Sequence, residues 1–249
     1  MTKKATQNKH AEREFFNRFE NTLDYDVFTE EGYKRIIDDF LRFITPLEHS
    51  KKRLRVLDCG CGTGSFTARF SESGFELYGI DISPGSIAHA KKKYLHIIFK
   101  VGDVDRMEFS DDYFDVIFLS GLLHHFPDFS PVLKECHRVL RVGGILLGYD
   151  PHRGNPFMWL YRCKESPLYS SKGVTENERP LSRREIEVVL RSLKYSDVKV
   201  YSISGVTYKY VDSRLSFIIL PLYNCLEHLM DFKPLRDRFG SFLITYARK

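Results

Sequence analysis

The chain has 249 residues, 43% of them hydrophobic and 29% charged. These proportions lie near the globular average and exclude disorder, collagen and coiled coil as the main architecture, because enough apolar side chain is present to offset chain entropy by burial. Lys plus Arg is 38 against 33 for Asp plus Glu, a formal charge of +5, which mildly favours an anionic ligand and gives no ground to expect a nucleic-acid partner.

Taken in chain order, Met1–His10 is polar and basic without an apolar core and does not read as a secretory signal. Residues 11–45 predict a helical cover: Phe15, Phe16 and Phe19 share one face, and Tyr33, Ile36, Ile37, Phe40, Leu41 and Ile44 repeat at three-four spacing. From Arg53 the pattern changes to short apolar runs ending in Gly or Asp, each followed by a helical stretch. Strands are expected at 55–58, 76–81, 97–101, 114–119 and 144–149, with helices at 65–73, 84–93 and 129–140, and five such repeats over 53–150 predict a doubly wound parallel sheet.

Residues 151–197 begin rich in Pro, Gly, Asn and Ser and turn helical at 183–193. Two last strands, 198–203 and 241–247, enclose a second excursion at 205–240. Long insertions in a compact domain are usually lids or binding elements. The longest apolar stretch, Leu215–Met230, contains a proline, an asparagine and a Glu-His pair, and is too short and polar to span a bilayer. Five cysteines with no CxxC pair predict reduced thiols, no structural zinc and a cytoplasmic location.

The most informative stretch is Val56-Leu57-Asp58-Cys59-Gly60-Cys61-Gly62-Thr63-Gly64, an apolar strand running into three alternate glycines and then a helix. Such a loop lets backbone N–H groups approach a ligand, and the helix start adds partial positive charge. The dinucleotide frame G-x-G-x-x-G fails, because Ser65 or Thr67 falls on its third position. The spacing G-x-G-x-G after an acidic residue instead resembles the first motif of class I S-adenosylmethionine-dependent methyltransferases.

The resemblance continues in order through Gly79-Ile80-Asp81-Ile82-Ser83, Gly102-Asp103-Val104, Phe114 to Phe118 with Ser120-Gly121-Leu122-Leu123-His124-His125, Leu140-Arg141-Val142-Gly143-Gly144 and Gly240 to Lys249. It covers roughly 54–150 and the C-terminus, and is nearest to the branch of ubiquinone and menaquinone biosynthesis enzymes. It implies a Rossmann-like seven-stranded α/β sheet, mostly parallel with an antiparallel last strand. S-adenosylmethionine is the implied cofactor. Its implied binding residues are Asp58, Gly60, Cys61, Gly62, Asp81, Ile82, Asp103, Val104 and Ser120, with Asp58 at the amino-acid end, Asp81 on the two ribose hydroxyls and Asp103 near the adenine amino group beside the backbone that reads the ring edge. Ser120 would open the segment between methyl group and acceptor.

Bland roles stand beside these. Asp58 suits a cap on the loop amides, Asp81 a helix cap (Ser83 fits that better), Asp103 a turn, Cys61 a small filler, and His124 and His125 packing. Asn155-Pro156-Phe157 reads as loop punctuation. Methyl transfer by in-line attack needs a positioned acceptor and exclusion of water more than a metal, and His124, His125, His152 or Asp150 would serve as a base. The rival readings are a non-catalytic S-adenosylmethionine-binding partner and an NAD-dependent oxidoreductase. The acceptor is expected to be small and apolar. Positions 215, 218, 219, 222, 226 and 229 form one stripe that, with the Phe15–Phe19 helix, would roof its cavity, bent at Pro221.

Overall fold

A computed structural model describes residues 7–17, 26–48, 53–169, 174–209 and 216–249. The helical cover is two helices, α1 (Lys9–Asn17) and α2 (Glu30–Glu48); Phe19 lies outside the described residues. There follow β1 (Arg55–Cys59), α3 (Ser65–Ala68), β2 (Glu76–Asp81), α4 (Pro84–Lys93), β3 (Ile98–Val101), β4 (Phe114–Ser120), α5 (Ser130–Val139) and β5 (Leu140–Pro151). The chain closes with α6 (Pro156–Arg162), α7 (Arg183–Ser192), β6 (Ser196–Ile203), α8 (Ser216–Leu229), α9 (Lys233–Phe239) and β7 (Phe242–Arg248).

The seven strands form one sheet in the order β3-β2-β1-β4-β5-β7-β6, with β7 antiparallel to both its neighbours and the other pairs parallel. Side chains alternate between the faces as a strand requires. Val56, Phe118 and Leu147 pack with α2 and α3 on one side, while Leu57, Ile117 and Leu146 meet α5 and α7 on the other. Burial on both faces explains why these strands read as continuous apolar runs. The order reverses between β1 and β4, and in such sheets the crevice beyond the carboxyl ends at that reversal is where ligands bind.

Three elements differ from the sequence reading. The run after Ser65 is only one helical turn, followed by a 3-10 turn at Ser71–Ser73. Strand β5 starts at Leu140, ahead of the expected Gly144, because a register shift opposite Phe114 and Val116 absorbs the glycines, and Gly143 and Gly144 bond to Lys249. Asn155-Pro156 opens a helix: the buried Asn155 side chain accepts from the amides of Phe157 and Met158, and Pro156 takes the first turn.

Candidate active site

The loop after β1 is shaped by its glycines. Gly60 has φ +70°, and a Cβ there would come 2.6 Å from Leu122 Cδ1. Gly62 has φ +51°, but nothing lies within 4 Å of its Cβ position, because that position opens into a cleft of about 590 Å³. The loop is tied to β2: the amides of Gly60 and Cys61 donate to the carbonyl of Ile80, and that of Gly62 donates to Asp81 Oδ2 at 2.9 Å. Asp81 Oδ1 accepts from the amide of Ser83 at 2.8 Å, while the Ser83 hydroxyl caps α4 by accepting from Ser86. Burial raises the Asp81 carboxyl's pKa, and the two amides hold it down in part.

Gly60, Cys61, Gly62, Asp81, Ile82, Asp103, Val104, Ser120, His124 and His125 all border this cleft. Asp58 does not. It lies fully buried behind Ser120, accepting from Ser120 Oγ at 2.5 Å and Thr67 Oγ1 at 2.6 Å. The loop amides expected on it are taken by Ile80 and Asp81 instead, and burial pushes its pKa up to about 7. Asp103 Oδ2 is held by Lys9 Nζ at 2.5 Å, and the same ammonium reaches Asp105 Oδ2 at 2.6 Å. Helix α1 is thus pinned across the cleft, with Asn17 Oδ1 accepting from Ser83 Oγ at 2.7 Å at its other end.

A short 3-10 turn, Leu123–His125, carries the two histidines. Asp150 Oδ1 receives the amide of His124 at 3.0 Å and lies 2.8 Å from its Nδ1. Burial, then the neighbouring His125 charge, lowers the His124 pKa to about 3, and burial pushes Asp150 up to about 8. His125 moves the other way: burial opposes its charged form, but the hydrogen bond to Glu12 and the charges of Glu178, Glu12 and Asp150 raise its pKa overall. The two neighbouring imidazoles are therefore shifted in opposite directions. His152, the other candidate base, is turned away to the carbonyl of Gly240 at 2.8 Å.

His124, His125 and Glu178 also bring ligand atoms within 4.8 Å of one another, a spacing open to a metal ion. Arg162 lies 3.8 Å from Glu178 and the His125 ring 3.4 Å from Glu12, so each acid already has a partner beside it. Glu12, Phe15 and Phe16 close this end, and Phe16 meets the His125 ring edge-on at 5.6 Å. Tyr33, Tyr149, Tyr208 and Phe242 make an aromatic wall joined through Phe28, whose ring lies 4.8–6.2 Å from theirs. Glu12, Glu178, Tyr149 and Lys9 were missed in the sequence. Only Glu12 left a signal there, three and four residues before Phe15 and Phe16 on one helical face.

The expected roof is built differently. No described residue of α8 borders the cleft. Ile218, Leu222 and Leu229 of the stripe face solvent, whereas Leu215 and the side chain of Ile219 lie outside the described residues. The cover comes from α1.

Residues 57–148 match the family model described as a methyltransferase domain. A demethylmenaquinone methyltransferase of Chlorobaculum parvum is 30% identical over 152 residues, covering 59% of this chain and 62% of that protein. A malonyl-[acyl-carrier protein] O-methyltransferase of Serratia marcescens is 31% identical over 150 residues, 58% and 59% of the two chains. The chain thus spans about three fifths of the curated relatives it matches. Among solved structures, an Archaeoglobus fulgidus S-adenosylmethionine-dependent methyltransferase superposes with TM-score 0.58 at 21% identity, over 88% of this chain and 97% of that one. A Haemonchus contortus phosphoethanolamine N-methyltransferase does so with TM-score 0.62 at 18% identity, over 95% and 59%. These share the fold.

Proposed function

We propose, from the premise that residues 57–148 are a methyltransferase domain of the class I S-adenosylmethionine-dependent type, that this chain transfers a methyl group to a small apolar acceptor by in-line attack without a metal. The observation that carries this reading is convergence: the glycine loop, Asp81, Asp103 and the Ser120–His125 segment border one cleft whose remaining wall is aromatic. The name of the Chlorobaculum relative, a demethylmenaquinone methyltransferase, supports an apolar acceptor.

The cofactor, when bound, supplies a methyl group on a sulfonium, whose sulfur would leave as a neutral thioether. The chain's residues bind and orient it: the open space over Gly62 receives the ligand close to the backbone, Asp81 has lone pairs left for two ribose hydroxyls, and Asp103 and Val104 lie where the ring edge would be read. Asp58 acts through Ser120, fixing that hydroxyl in the cleft wall. Helix α1 excludes water with Phe15 and Phe16. His124, whose imidazole is held neutral and fixed by Asp150, is placed to orient the acceptor by hydrogen bonding more than to take its proton, and His125 is tied to Glu12 beside Glu178, so proximity carries the transfer.

We read 1–249 as one domain, with 151–197 and 205–240 on the acceptor side, and the five free cysteines support a reducing, cytoplasmic compartment. Among the described residues, no helix is long and apolar enough to cross a membrane. The test is transfer of labelled methyl from S-adenosylmethionine in the presence of a lipid extract and, separately, of an aqueous cell extract. Label that moves into organic solvent is the expected result. Label on macromolecules would overturn the apolar acceptor, and cofactor binding without transfer to either extract would leave a non-catalytic partner protein.

A further inference from the structure

Helix α8 is built inside out. Its inward face is fixed by polar bonds beside the packed Tyr223: Asn224 exchanges two hydrogen bonds with the backbone of Tyr208, and buried Glu227 accepts from the Gly205 amide and the Ser241 hydroxyl. Its outward face is apolar, with Phe217 72% exposed, Leu229 65% exposed, and Ile218 and Leu222 between them. An ordinary surface helix shows the opposite arrangement. Phe232 and Leu235 extend the patch into α9, and a ring contact from Phe157 to Tyr223 joins it to α6, where Phe157 and Trp159, the chain's one tryptophan, are part-exposed.

We propose that this face docks on a membrane surface bearing anionic headgroups, with the α8 side chains entering the acyl boundary. Charge selects this occupant. Helix α9 carries Lys233, Arg236 and Arg238; Asp231 and Asp237 pair with Arg236, and the one acid of α8, Glu227, is buried. Lys233 and Arg238 are exposed and, among the described residues, have no carboxylate partner. A second copy meeting this face about a two-fold axis would bring like charges together, whereas a bilayer offers phosphate beside hydrocarbon. A tryptophan with an apolar body and a polar N–H suits that boundary. Met158, Tyr161 and Arg162 on α6 border the cleft, so the docked surface lies at the cleft's rim. The proposal does not depend on which acceptor is methylated.

The experiment is co-sedimentation of the full chain with phosphatidylcholine vesicles made with and without phosphatidylglycerol, with S-adenosylhomocysteine affinity measured on every variant as a check that the fold and cleft are intact. Wild type is expected to pellet with the anionic vesicles and to be released in part by salt. Phe217→Glu with Leu222→Glu should lower the partition about tenfold or more, with Phe217→Ala and Leu222→Ala as the milder pair if the first does not fold. Lys233→Glu with Arg238→Glu should remove the preference for phosphatidylglycerol. Absence of wild-type binding, or binding that neither apolar pair reduces, would overturn the proposal. So would a wild-type dimer in light scattering that the same apolar substitutions dissociate, since the face would then belong to a second copy.

Discussion

Asp58, closed off beneath Ser120 and Thr67, keeps its proton up to about pH 7, whereas the same side chain in an unfolded chain loses it near pH ~4. Between those values the folded state binds more protons than the unfolded one, so stability falls as pH rises through the window. Asp58→Asn keeps the shape and removes the titration, and should relieve a penalty on the order of 4 kcal/mol at pH ~8. Thermal melting of both proteins across this range checks it; parallel curves would mean that Asp58 does not titrate as described. The histidines divide similarly. Removal of a general base costs about 10²-fold or more in rate; with the His124 pKa lowered to about 3 by burial and His125 tied to Glu12, His124→Ala and His125→Ala should each cost less than that. If both variants keep full turnover from pH ~6 to 9, proximity alone suffices and neither is a base. At this scale the sequence was legible where a residue's role is local: Ser83 caps α4 as its position before Pro84 indicates. Asp58 was not, because its partners, Ser120 and Thr67, lie 62 and 9 residues away.

Helix α1 is the element on which access to the cleft turns. It is held by Lys9 on Asp103 and Asp105, by Asn17 on Ser83, and by Gln7 just before it, which donates to the His125 carbonyl. Each bond is worth about 0.5–1.5 kcal/mol net, somewhat more where charged. Lys9→Ala with Asn17→Ala should therefore speed release of S-adenosylhomocysteine roughly tenfold or more, as stopped-flow fluorescence would show; an unchanged off-rate would mean that α1 does not cover the bound ligand. Strand β2 is a second sensitive element. A Cβ on Gly79 would come 2.6 Å from Phe99 and 2.8 Å from Cys61 Sγ, so Gly79→Ala should cost about 1–3 kcal/mol by denaturant unfolding. Long periodic elements were readable: β2 and α4 fall on their expected residues. Helix α6 was not, because seven residues show no period and only the Asn155 cap marks it. The α8 stripe was visible as a stripe, yet periodicity says nothing of direction, and here the polar bonds of Asn224 and Glu227 turn the apolar side outward.

Across the whole molecule, the order β3-β2-β1-β4-β5-β7-β6 brings residues from four separate loops to one crevice. The repeating strand and glycine pattern makes that half of the cleft legible in the sequence. The other half was not, since α1, the turn at Glu178 and the aromatic wall come from segments up to about two hundred residues apart, with no spacing rule to join them. The central claim is that the cofactor sits on Asp81 beside the glycine loop, and calorimetric titration of S-adenosylhomocysteine into wild type and Asp81→Ala tests it most directly. Hydrogen bonds to a charged group are worth about 1.5–3 kcal/mol, so the variant should bind about 10- to 100-fold more weakly, with Asp81→Asn between the two. Unchanged affinity in Asp81→Ala would contradict the account.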